Sequence, residues 1–237
     1  MKIQIPKTIK AGFSVLATTL TFIAFTSSVR ASADMNSSKL PPIGNDITGV
    51  ATAYSSTQTS SYSGGGFKFG ARTYDQFTSN FPLPAGSSTS VNSFSLKVTG
   101  TDSFDGGASF HPFSAPAATT WKISGNGGSG TGTFNTEMLQ LDMRGGNLPP
   151  SVLLRESPTL ASLGQTTITD IGGGNFRIDS FFDVFTELSV DAGQTWSPDS
   201  SGPTHVTFGQ VPEPTSAVLL GLGTLLLAAR RRRCAQA

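Results

Sequence analysis

The sequence predicts an all-β chain: an antiparallel β-sandwich-like domain of about 8 to 10 short strands, flanked by an N-terminal signal helix and a short C-terminal transmembrane helix. Three observations carry this prediction. Apolar residues in the middle of the chain alternate with period two and lack the 3.6-residue period of an amphipathic helix. Glycine and proline clusters punctuate the alternating runs. Each end of the chain carries an uncharged, apolar stretch beside a cluster of basic residues.

In chain order, residues 1–33 read as a secretory signal. Lys2, Lys7 and Lys10 form a cationic start, residues 11–25 carry no charge, and Ala31-Ser32-Ala33 offers the small residues of a signal-peptidase site, with cleavage before Asp34. The Sec translocon and signal peptidase are the partners this implies. The predicted domain, residues 34–210, holds 8 basic and 14 acidic residues, a net charge of −6. Nucleic-acid binders release phosphate counterions through clustered positive charge, so this sign excludes nucleic acid as a partner. Cys234, the single cysteine, lies beyond the domain, so packing rather than disulfides must hold it together.

The clearest alternation covers residues 176–190. One face carries Phe176, Ile178, Phe182, Val184, Leu188 and Val190, interrupted by Ser180 and Thr186. The other carries Arg177, Asp179, Asp183, Glu187 and Ser189, with Phe181 and Phe185 intruding. Shorter alternations join Phe94, Leu96 and Val98; Trp121 and Ile123; Leu139, Leu141 and Met143; and Val206 and Phe208. Residues 56–66, rich in serine and glycine, read as a mobile loop.

Few residues suit catalysis. His111 and His205 are the only histidines, no serine sits in a G-x-S-x-G context, and zinc would lack ligands. Asp179, Asp183 and Glu187 share a strand face, but neighbours four residues apart lie about 13 Å apart, too far to act on one glycosidic bond. Asp102 and Asp105, in the run Asp102-Ser103-Phe104-Asp105-Gly106-Gly107, leave two readings open: a calcium loop lacking its distal glutamate, or a plain Asp-Gly turn. Exposed aromatics are the remaining feature. Phe181, Phe185 and Trp121 are the candidate carbohydrate contacts, since flat rings bind sugar faces at low entropic cost.

Residues 189–196, with the pattern S-x-D-x-G-x-T-W, resemble the Asp-box of sialidases and other β-proteins, a hairpin-stabilising turn remote from catalytic sites. Asp191 would accept backbone N–H bonds, Gly193 would take positive φ and Trp196 would pack back on the sheet. At the C-terminus, Val211-Pro212-Glu213-Pro214 precedes the uncharged residues 215–229 and then Arg230, Arg231, Arg232 and Arg233. A helix over 215–229 spans about 22 Å, short of a hydrocarbon core of about 30 Å, and snorkelling arginines close part of the gap. The arginines would stay cytoplasmic, leaving the domain outside.

This order of parts, over residues 211–233, resembles the PEP-CTERM sorting signal of Gram-negative bacteria. The resemblance implies handling by an exosortase, transient anchoring in the inner membrane, then delivery to the outer envelope or the extracellular exopolysaccharide. Residues 155–170 (RESPTLASLGQTTITD) and 178–196 (IDSFFDVFTELSVDAGQTW) resemble a segment of other exported bacterial proteins that has no established activity. The resulting expectation is a non-catalytic envelope or matrix protein with a structural or adhesive role. A lectin-like domain is the alternative, with a secreted glycoside hydrolase third.

Overall fold

The computed structural model describes residues 31–63, 66–128 and 130–211, and their regular structure is all β. Residues 1–30 of the expected signal segment 1–33, and residues 212–233 of the expected sorting segment 211–233, lie outside the described residues. The strands are β1 (Ser32–Met35), β2 (Thr52–Ser56), β3 (Ser60–Ser61), β4 (Lys68–Asp75), β5 (Thr89–Ser103), β6 (His111–Ser124) and β7 (Gly132–Arg144). They continue as β8 (Leu153–Glu156), β9 (Ser162–Gly172), β10 (Asn175–Val184), β11 (Thr186–Ser189), β12 (Ser197–Pro198) and β13 (Thr204–Gln210).

Period-two patterning makes these strands and sets their inner face. Along β6, Phe113, Ala115, Ala117, Thr119, Trp121 and Ile123 are buried while their neighbours face outward. All pairings are antiparallel, and they close on themselves through β2, β4, β5, β6, β7, β9, β10 and β13, back to β2. The expected sandwich is therefore corrected to an 8-stranded up-and-down barrel. A sandwich strand and a small-barrel strand both present one apolar and one polar face, so alternation alone cannot separate them. Closure depends on the seam at β9, where Gly164 lies so close to its neighbours that an added Cβ would stand 2.2 Å from the Phe181 carbonyl oxygen.

Four of the barrel's staves are broken. β2 and β3, β8 and β9, β10 and β11, and β12 and β13 each form one interrupted stave, so a second circuit closes the opposite end through β7–β8–β11–β12 and the Tyr62–Asp199 bridge to β3 and β4. Up-and-down order places the end of β3, the start of β4 and the turns 104–110, 145–152 and 190–196 at one end, where Gly106 N–H donates to the Gly66 carbonyl (2.8 Å) and Ala192 N–H to that of Ser151 (3.0 Å). The other end carries β1, paired with the start of β10, and the exit of β13 at Gln210. The predicted cleavage position between Ala33 and Asp34 thus falls inside β1. Asp34, retained after such a cut, holds Arg177 through both carboxylate oxygens (2.8 and 3.1 Å).

Side chains fill the barrel. Trp121 stands among Tyr54 (5.4 Å), Phe94 (5.1 Å) and Phe182 (4.7 Å), and a void of only about 10 Å³ lies beside Trp121, Tyr54 and Phe182. Ser180 and Thr186, which interrupt the apolar face in sequence, satisfy buried tyrosines: Tyr54 donates to Ser180 (2.8 Å), and Tyr62 and Thr186 share a bond of 2.7 Å. Where residues 56–66 were expected to be a mobile loop, residues 56–63 are tied down, with Ser56, Ser60 and Tyr62 buried. Ser60 and Thr204 accept from Nη2 of Arg72, a residue only 1% exposed whose Nε and Nη1 meet no acceptor among the described residues. On β7 the register shifts opposite Thr120/Trp121, and Leu139 and Gln140 both face outward. Leu139 is thereby 42% exposed, against the alternation that predicted it inside with Leu141 and Met143.

Candidate functional site

Trp121 cannot meet a ligand at the surface. It is 2% exposed at the centre of the core, because its position in β6 falls on the inward face. Phe181 and Phe185 do face outward, half-buried, as the alternation predicted. The Phe181 ring lies 5.4 Å from that of His205, whose Nδ1 is 2.7 Å from an Asp183 carboxylate oxygen. Among the described residues no serine bonds the other nitrogen of this exposed ring, and His111 is exposed at the start of β6. Asp183 and Glu187 are engaged separately, the first by His205 and the second by Arg155.

The turn at 189–196 has the geometry its residues predict. Ser189 Oγ donates to Asp191 (2.7 Å) and accepts from Gly193 N–H (2.8 Å), while Thr195 donates to Asp191 from both N–H (2.9 Å) and Oγ1 (2.6 Å). Gly193 takes φ +90°. Thr195, and then Ser189, hold the Asp191 carboxyl down at about 2 by bonding its charged form. Trp196 packs back as predicted, with the Arg155 guanidinium 3.9 Å over its ring and that guanidinium clamped on Glu187 (3.0 and 2.7 Å).

The same turn occurs a second time at 103–110. Ser103 donates to Asp105 (2.7 Å) and accepts from Gly107 N–H (2.9 Å), and Ser109 donates to Asp105 from N–H (2.9 Å) and Oγ. Ser109 and Ser103 hold the Asp105 carboxyl far below the ordinary range. This favours the turn over the calcium loop at Asp102 and Asp105: both Asp105 oxygens serve the turn, and Asp102 is buried, where desolvation raises its carboxyl. Among the described residues no three acidic, histidine or cysteine side chains converge as metal ligands.

Sequence reasoning missed a groove of about 640 Å³ on the outer wall across β5, β6, β7 and β8. Pro116 and Ala118, small outward residues of β6, form its floor; Trp196 closes one side, and Asp142, Arg144 and Gln140 line it. Small residues on an outward strand face beside larger polar ones were the available signal. Near this wall, burial raises the Glu156 carboxyl to about 6 against the opposing hydrogen bond from Ser162, and Glu137, Glu187 and Asp142 add like charge.

Residues 210–233 match the family model of the PEP-CTERM protein-sorting motif. No curated protein and no solved structure matches the chain.

Proposed function

From the premise that this chain carries a PEP-CTERM sorting signal, and so is exported and handled by an exosortase, we propose a non-catalytic cell-envelope or matrix protein, structural or adhesive in role and associated with exopolysaccharide. The filled lumen supports this reading. The void beside Trp121 at the barrel's centre is only about 10 Å³, too small for an internal ligand there, so the outer surface is left to do the work. The apolar core faces inward, whereas a lipid-facing barrel turns its apolar band outward, although single large apolar residues such as Val91, Leu139 and Leu163 are exposed here. Because β13 leads into the sorting motif at one end, the end bearing the paired serine–aspartate turns points away from the membrane while the tail is anchored.

Fractionation of the producing organism tests this. The native chain should reach the envelope or medium with its arginine cluster removed, and should co-purify with extracellular polysaccharide. Full-length protein confined to the cytosol would overturn the reading. The outer groove favours a second reading, a lectin-like domain.

A further inference from the structure

We infer that the groove walled by Trp196 is a binding site for neutral saccharide chains. This inference rests on the exported, surface-acting reading above and gives it a ligand class.

The groove is a consequence of cross-strand register. Ser95 of β5 pairs with Ala118 of β6, Ala118 with Asp142 of β7, Asp142 with Arg155 of β8, and Arg155 with Glu187 of β11. Strands lie about 4.8 Å apart, so the floor from Ser95 to Arg155 runs about 14 Å, the length of a few linked sugar rings. Ala118 at the low point leaves the space a longer side chain would fill. The Trp196 indole stands at the end of the row, held by the Arg155 guanidinium and by the turn at Gly193, whose added Cβ would lie 3.8 Å from it.

The polar groups along the floor are held in place before any ligand arrives. Ser93 and Thr120 share a hydrogen bond (2.9 Å), Thr120 donates to Gln140 (3.0 Å), and Gln140 donates to Asp142 Oδ2 (2.6 Å). This chain fixes the Asp142 carboxylate through Oδ2, and among the described residues no hydrogen-bond donor meets Oδ1, which can accept from a ligand. Arg144, exposed on the same strand and lining the same groove, makes no ion pair among the described residues. Planar carboxylate and guanidinium groups each match two adjacent hydroxyls, one accepting and the other donating. Their charges cancel, and Arg155 is already neutralised by Glu187. A neutral sugar therefore fits better than an acidic one, which would also meet the net charge of −6 over residues 34–210.

The test is titration calorimetry of the exported protein against neutral oligosaccharides (gluco-, galacto- and manno-series), with oligouronides as the acidic arm. A neutral series should bind, and Ala118→Arg, Arg144→Ala and Asp142→Asn should each weaken it by about tenfold or more, the scale of one lost anchoring contact. Ala118 is exposed, so filling its site leaves the fold intact, and an unchanged melting curve would verify that. Phe181→Ala should bind as the unaltered protein does. Binding that survives Ala118→Arg but is lost in Phe181→Ala would overturn the groove and keep the surface-acting reading. Preference for oligouronides would overturn the neutral assignment. Absence of binding to any series would overturn the site, while co-purification with polysaccharide would still decide the broader reading separately.

Discussion

The turns at 103–110 and 189–196 make the same set of hydrogen bonds from the same residue types, yet they end differently. In the first, Phe110 stays 43% exposed; in the second, Trp196 stacks under Arg155 and becomes the wall of the groove. The backbone device is thus separable from what its last aromatic does. Ser, Asp, Gly and a second hydroxyl fold the turn, and the aromatic then either lies open at the rim or clasps a neighbouring stave. The turns also differ at one strained position, where Gly106 (φ +76°) in the first corresponds to Ala192 (φ +61°) in the second.

Several substitutions sharpen or break this comparison. The largest effects should come from Gly107→Val and Gly193→Val, since both sites take φ near +90° and a β-branched residue there costs about 2 kcal/mol. Matched losses in urea melts would support equivalence; a loss at only one turn would break it. Trp196→Ala should cost about 1–2 kcal/mol through lost packing and cation–π contact, and Phe110→Ala less, by the same measurement. Ala192→Gly should stabilise by up to about 1 kcal/mol and Gly106→Ala should destabilise by about as much, since only the former relieves a left-handed alanine.

The smallest effect is on pH dependence. Asp191 is lowered in the folded state to about 2, so its contribution is complete above the ordinary aspartate range and is lost as pH falls toward 2. Asp105, lowered likewise, should act in the same acid window, which carboxyl-carbon NMR titration would show. Glu156 is the opposite case. Raised to about 6, it favours the fold below the ordinary glutamate range, and that favour is lost as pH rises through 6. Glu156→Gln should remove this dependence; an unchanged pH–stability curve between 4 and 7 would contradict it.

Much of this was legible in the chain. The alternation read over residues 176–190 placed the inward residues from Ile178 to Leu188 but reversed Ser189, which is buried, and Val190, which is exposed. The motif at 189–196 marked Asp191 as an acceptor of backbone N–H. The twin turn was obscured because Asp102 and Asp105 suggested a cation loop, and Ser109 and Phe110 stand where the other has Thr195 and Trp196. Trp121 was misplaced because aromatic character was weighed above its alternation with Ile123, which already marked the inward face of β6. Barrel closure depends on long-range seams such as Gly164 against Phe181, and no local pattern encodes them. The groove was hidden for a related reason: Ser95, Ala118, Asp142 and Arg155 are neighbours only across four strands.

Closure is the claim on which the filled lumen, the outward-acting surface and the groove all depend. Inter-strand NOEs with amide exchange measure it most directly. The account predicts Ser55–Thr207 contacts between β2 and β13 and Thr136–Gly164 contacts between β7 and β9, with slowly exchanging amides along both seams. Missing contacts at either seam, with amides exchanging as fast as those of a free sheet edge, would contradict it.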